Sequence, residues 1–216
     1  MINEDSFVLI NFVGRVVSTN KVFDLTRKDV AEKEGIEGDY NFSPILVIPK
    51  AGYVLKAVSD SLIGKNTGDK YSLKVSAKDG FGIFDQHLIK TYGMAVFRDN
   101  QINPSVGDTL LLDNKVATVL SVNSGRVMVS FNHPLAGKDL DYEIEIVTVL
   151  ESDKEKCESV FQHYVGKKPD ELNIENNKVA MATKEDVKGY ILDSIKSDIT
   201  KYVNKDFSIE IKAKQA

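Results

Sequence analysis

The chain has 216 residues, 42% of them hydrophobic and 28% charged, and a formal net charge of −4. A chain of this size and apolar content buries a core as one large domain or as two to three small ones, which excludes disorder as its main state. The slight acidity supplies no overall positive field to hold phosphates, so general nucleic-acid binding lacks its usual driving force.

In chain order, the N-terminus Met1-Ile2-Asn3-Glu4-Asp5 places acid where a signal peptide needs base. Nowhere does an apolar run approach the roughly 18 residues of a membrane span. A cytoplasmic protein is expected, with no membrane partner and no nucleic-acid partner. Phe7 to Val17 is rich in β-branched and aromatic residues, and Tyr71 to Ser76 alternates apolar with polar; both read as strands. Between them Leu55, Val58, Leu62 and Ile63 form one helical stripe, with Gly64 and Gly68-Asp69 as stop and turn.

From Asp85 to about Gly125, turn residues punctuate short strands at Thr109 to Leu112 and Val116 to Val122, which reads as a small all-β unit. Val127 to Phe131 follows the Asn123-Ser124-Gly125 turn, and Tyr142 to Val149 forms a long strand with Tyr142, Ile144 and Ile146 on one face. Ser152 to Val165 changes period. Cys157, Val160, Phe161 and Tyr164 are spaced as one helix face, Ser152 and Glu155 make a capping box, and Gly166 and Pro169 end the segment. A second helix is expected from Thr183, with Val187, Ile191, Ile195, Ile199 and Val203 as its stripe, between strands at Lys178 to Ala182 and Phe207 to Lys212. The tail thus reads as an α+β module of about 65 residues, small enough to gain from docking or self-association.

Conventional catalytic chemistry is sparse. His87, His133 and His163 lie in different segments, and no triad is readable. Gly80-Phe81-Gly82 lacks the rest of a dinucleotide fingerprint, and Lys167-Lys168 is too short a basic run for a nucleic-acid patch. The lone Cys157 leaves no internal disulfide, sits on an apolar helix stripe and reads as a small buried hydrophobe. Glu143/Glu145 and Asp139/Asp141 recur at period two, which suits a solvated strand face. What remains is apolar residues near turns: Phe12, Phe23, Ile45, Val54, Leu55, Val58, Phe81 and Tyr142. One at a time, each is ordinary core.

Taken together, the segments resemble the FKBP family of peptidyl-prolyl cis/trans isomerases, in particular its SlyD-like branch with the longer archaeal members. Ile10-Asn11-Phe12-Val13-Gly14 resembles the family's first-strand pattern and Val22-Phe23-Asp24 its Phe-Asp pair. Val54-Leu55-Lys56-Ala57-Val58 to Gly64, then Gly68-Asp69-Lys70, resembles the helix and turn that floor the pocket. Asp79-Gly80-Phe81-Gly82 stands where the family has an acidic, Ala, Tyr, Gly run. Most specific is Phe131 to Tyr142, with His133-Pro134-Leu135-Ala136-Gly137, similar to the SlyD signature after its inserted domain. The resemblance covers about residues 4 to 150.

It implies an α+β fold: an FKBP-like bent antiparallel sheet around a short helix (residues 1–84 plus 127–150), an inserted small all-β "insert-in-flap" domain (85–126), and a separate α+β C-terminal domain (151–216). It also implies a cofactor-free, metal-free peptidyl-prolyl isomerase. Its partners would be unfolded or nascent polypeptides with Xaa-Pro bonds, held through the insert, and the C-terminal domain would be a candidate homodimer surface. On the family pattern Asp24, Phe81 and Tyr142 carry catalysis, while Phe12, Phe23, Ile45, Val54, Leu55, Val58 and Leu135 bind substrate. Phe12 and Phe81 stand where the family usually has tyrosines, Ala57 replaces a glycine, and Val58 is smaller than expected at the pocket floor. The alternative is therefore a catalytically weak or inactive chain-binding module. The stretch Lys28 to Asn41 reads as a solvated helix-and-loop excursion bordering the groove.

Overall fold

The computed structural model describes residues 1–38 and 42–213. Asp39, Tyr40 and Asn41, the end of the excursion expected from the sequence, lie outside the described residues. Two compact units are present, residues 1–74 with 141–216, and residues 75–140. The sequence reading divides the chain instead after residues 84, 126 and 150.

The first unit begins with β1 (Phe7–Val16), buried over most of its length on both faces, as a central strand must be. β2 (Val22–Leu25) runs antiparallel to it over Val13–Arg15, with a register slip at Gly14/Arg15. The excursion folds as α1 (Lys28–Glu34), which ends at left-handed Gly35. β3 (Ile45–Val47) then pairs with the other half of β1, Val8 opposite Val47 and Ile10 opposite Ile45. β1 therefore exchanges one partner for another along the same edge, and Asn11–Phe12 falls in the gap. A helix, α2 (Lys56–Leu62), buries Val58, Ser59 and Leu62; Val58 and Leu62 belong to the stripe expected there, whereas Leu55 is the half-buried N-cap and Ile63 follows the helix and is exposed. β4 (Lys70–Val75) comes next.

The second unit contains β5 (Ile89–Gly93), α3 (Met94–Asp99), β6 (Thr109–Leu112), β7 (Lys115–Asn123) and β8 (Arg126–Ser130). The sheet order is β5-β8-β7-β6, with antiparallel pairs throughout. Two-residue turns join β6 to β7 and β7 to β8. Asp113–Asn114 and Ser124–Gly125 all have positive φ, the left-handed pair that matches the twist of a tight hairpin. The core is Phe97, Leu112, Ala117, Val119, Val127 and Val129. Two expectations change here. The region is not all-β, because α3 contributes the fully buried Phe97; six residues are too few for a helical period to register in sequence. Nor does its sheet stop at residue 126, because β8 pairs with both β5 and β7.

Returning to the first unit, β9 (Leu140–Leu150) completes a sheet of order β2-β1-β9-β4 with β3 also on β1. Tyr142, Ile144 and Ile146 are buried on one face, as their spacing requires. α4 (Asp153–Val165) carries the full capping box at Ser152 and Glu155 and closes at Gly166. β10 (Glu171–Glu175) and β11 (Lys178–Thr183) form a hairpin through Asn176–Asn177, again a positive-φ pair. α5 (Gly189–Asp198), prolonged by a π-helical turn at Ile199–Val203, crosses over to β12 (Ser208–Ala213), which lies parallel to β11. The helix starts six residues later than expected. Thr183 ends β11, and its hydroxyl accepts the Glu185 N–H at 3.1 Å, a local bond that competes with helix initiation.

The C-terminal segment is not a separate domain. Phe7, Leu46 and Ile48 of the large sheet share one core with Leu150, Cys157, Val160, Phe161, Ile195, Ile199 and Phe207. A three-stranded sheet with two helices buries too little apolar surface alone, and the outward side chains of β1 and β3 supply the rest. Cys157 is fully buried and its thiol is pushed up to about 12 by loss of hydration, so it is inert packing. Among the described residues no helix is long and apolar enough to cross a membrane.

Candidate functional site

The gap between β2 and β3 is closed chemically by Thr26, whose N–H donates to the Phe12 carbonyl at 3.0 Å while its hydroxyl accepts the Phe12 N–H at 2.8 Å. This fixes the backbone of Phe12 without a third strand. From there the Phe12 ring meets that of Tyr142 at 6.0 Å between centroids, and Phe23 meets Tyr142 edge-on at 5.6 Å and 87°. Such tilted and perpendicular arrangements are the favoured ones for aromatic pairs. Gly14 makes room for the third ring: a Cβ there would come within 2.6 Å of Phe23 Cζ.

Asp24 follows Phe23 on β2, exposed at one side. Loss of hydration raises its carboxyl, a shift opposed by the Leu25 N–H that the carboxylate accepts. Burial pushes the Tyr142 phenol up to about 12, and the Asp24 charge adds to it. Among the described residues the Tyr142 hydroxyl has no hydrogen-bond partner. A phenol that stays protonated and unpaired is a donor available to a ligand that reaches it. Of the three rings, Phe12 lines the neighbouring groove, whereas Phe23 and Tyr142 are not part of its lining.

Phe12, Asp24 and Ile45 line a groove of about 500 Å³, together with Leu9, Thr26 and Leu46. Its other wall comes from α4 and the turn after it, through Ser159, Gln162, His163, Gly166 and Lys168. The sequence reading did not single out this wall. Its signal was present, because Ser159, Gln162, His163 and Gly166 have the same i, i+3, i+4, i+7 spacing as the buried stripe beside them.

The other residues expected from sequence are placed as follows. Val58 is buried in α2 and Leu55 half-buried at its N-terminus; among the described residues neither lines the groove. Val54 faces a second depression with Pro49, Lys50 and Ser59. Phe81 and Leu135 belong to the second unit. There the Phe81 ring stacks on His133 at 4.2 Å and 3°, and His133 Nδ1 accepts the Leu135 N–H at 3.1 Å. No group of three or more His, Cys, Asp or Glu among the described residues is arranged to hold a metal ion. Glu143 and Glu145 lie on the sheet's polar side with Asn11, Arg27 and Lys70, and Glu145 pairs with Lys70 at 2.8 Å.

Fold and site together resemble the SlyD-like class of FKBP-type peptidyl-prolyl cis-trans isomerases, and comparison with known proteins leads to the same class. Residues 92–135 match the family model described as FKBP26, IF domain. Over 156 residues, 72% of this chain and 98% of the other, the chain is 26% identical to a protein of Methanocaldococcus jannaschii named short-type peptidyl-prolyl cis-trans isomerase. It is 28% identical over 125 residues to the FKBP-type peptidyl-prolyl cis-trans isomerase SlyD of Yersinia pestis, covering 56% of this chain and 64% of that protein. For the SlyD of Escherichia coli the values are 27% over 118 residues, 53% and 60%. The chain thus spans less than two thirds of the SlyD proteins it matches.

Proposed function

We propose that the protein is a peptidyl-prolyl cis/trans isomerase acting on Xaa-Pro bonds of polypeptides. The observation that carries this reading is the convergence of Phe12, Phe23 and Tyr142 beside Asp24, with the Tyr142 hydroxyl unpaired. Rotation about a peptide bond faces a barrier of about 18–20 kcal/mol because amide resonance is lost, and it needs no covalent step. The planar amide is more charge-separated than the twisted one, so an apolar aromatic surface such as the Phe12, Phe23 and Tyr142 cluster favours the twisted state. Each 1.36 kcal/mol of that preference is worth about tenfold in rate. The family's usual tyrosine is absent at position 12, and Tyr142 offers a substitute donor: its O–H donates to a substrate carbonyl while Asp24 biases the local field. Exchange NMR on a short Phe-Pro peptide with catalytic amounts of protein tests this; unchanged cis/trans exchange overturns it.

A chain-holding role for the second unit has its own support. Ile83, Val106, Leu111 and Val116 are all exposed there, Leu111 at 68% and Val116 at 64%, and Leu111 lies directly opposite Val116 across β6 and β7. Exposed apolar side chains grouped on one unit mark an interaction surface. Unfolded polypeptide, rich in apolar side chains, is the partner of matching chemistry. Suppression of aggregation of a refolding client, lost on replacing Leu111 and Val116 by serine, is the expected result, and an undiminished effect counts against the role.

A further inference from the structure

We propose that α4 is the second wall of the substrate groove and that Gln162 and Ser159 bind the backbone of the residues flanking the proline. The proposal rests on the isomerase reading and specifies the substrate: an extended polypeptide segment longer than the Xaa-Pro pair. The groove's volume of about 500 Å³ falls in the range that encloses drug-sized ligands, so it has room for residues beyond the proline ring.

The two walls differ in chemistry. The sheet wall is mostly apolar, with Leu9, Phe12, Ile45 and Leu46 beside Asp24 and Thr26, whereas α4 presents Ser159 and Gln162. An extended chain entering such a groove loses water from an N–H and a C=O at every residue, and each needs a partner. A glutamine amide offers donor and acceptor together, and a serine hydroxyl does the same on a shorter arm. Neither Gln162 nor Ser159 uses its side chain in a hydrogen bond among the described residues. Their neighbours on the same wall are committed: the His163 ring is stacked on Tyr53, and Lys168 is paired with Glu158 at 3.0 Å. The α4 face is also held firmly, since Cys157, Val160 and Phe161 on its other side are fully buried.

The test compares a blocked Phe-Pro dipeptide with a blocked heptapeptide centred on Phe-Pro, using the full chain, its Gln162→Ala variant and its Ser159→Ala variant. In the original chain the heptapeptide has the higher kcat/KM. In Gln162→Ala that advantage falls about fivefold, the factor one ordinary hydrogen bond is worth, and the change lies in KM rather than kcat. Ser159→Ala lowers the advantage in the same sense. Heptapeptide also shifts the Gln162 side-chain amide signal in a ¹⁵N NMR titration, a readout that a merely structural role for α4 leaves unmoved. An unchanged heptapeptide advantage in both variants, or an amide signal that stays fixed while turnover proceeds, overturns the proposal. Failure of the original chain to act on either peptide sinks the isomerase reading instead; the titration then decides the wall alone, a fixed amide signal overturning it.

Discussion

The imidazole of His163 lies flat on the ring of Tyr53, with centroids 3.9 Å apart and planes 12° from parallel. Tyr53 immediately precedes Val54 and Leu55, the approach to α2. Its O–H donates to Asp198 Oδ2 at 2.5 Å, and the Tyr164 O–H donates to the same oxygen at 2.6 Å. Desolvation and this carboxylate push both phenols upward, Tyr164 to about 12. The segment leading into α2 is therefore held by α4 and α5 through a stacked ring and a shared acceptor.

His163 makes that arrangement pH-sensitive. Loss of hydration holds its imidazole below the ordinary 6.5, so the unfolded chain takes up a proton first as pH falls. The associated stability is complete above about pH 6.5 and is lost as pH drops through the lowered folded-state value. Urea unfolding at about pH 7.5 and pH 5.5 should show a larger drop in midpoint for the original chain than for His163→Phe, which keeps the stacking and cannot titrate. Equal drops would assign the dependence to other groups.

Asp24 works in the opposite direction. Its raised carboxyl means that folding favours the protonated form, so its stabilising contribution is present below about pH 3.8 and declines as pH rises through the folded-state value. At neutral pH Asp24→Asn should raise the thermal midpoint while slowing isomerisation, and the gain in midpoint should shrink in acid. A variant both less stable and fully active would refute a site role for this carboxylate.

Gly14→Ala should act on the aromatic cluster rather than on β1. A strand position tolerates alanine, but its Cβ would press on Phe23 Cζ, moving the ring away from Tyr142. Isomerase activity should fall severalfold, with an altered near-ultraviolet circular dichroism signal and a stability change within about 1 kcal/mol. A normal aromatic signal with normal activity would show that the ring position is immaterial.

The shared core gives a direct stability test. Phe161→Ala should cost about 3–5 kcal/mol, as expected for a fully buried aromatic. A chain ending at residue 150 should lose solubility, because Phe7, Leu46 and Ile48, all buried against the missing segment, become exposed. A soluble, cooperatively folding truncation would show that the large sheet is self-sufficient.

Periodicity made the main elements legible. The burial of Tyr142, Ile144 and Ile146, the α2 stripe and the capped α4 helix all follow from spacing alone, because a long regular element repeats its pattern several times. α3 and β10 were not foreseen: α3 is too short for a helical period to register, while β10 does alternate, with Leu172 and Ile174 between Glu171, Asn173 and Glu175, but holds only two apolar residues, neither of them flanked by a β-branched or aromatic run. The start of α5 was misplaced because Thr183 reads equally well as a helix cap and as a strand end closed by its own hydroxyl. At the site, the grouping of Phe12, Asp24 and Ile45 came from resemblance, since each alone is ordinary packing or surface. The α4 wall was hidden for another reason: spacing identifies which residues share a helix face, but not what that face will meet.

One cluster joins Phe7 to Phe207, side chains far apart in sequence. At roughly 5–20 residues per second of translation, the outward side of β1 waits on the order of 10–40 s for its final covering to leave the ribosome. If the protein does assist other chains in maturing, it passes through its own vulnerable interval first, with a sticky β-sheet surface awaiting the segment that carries Phe207.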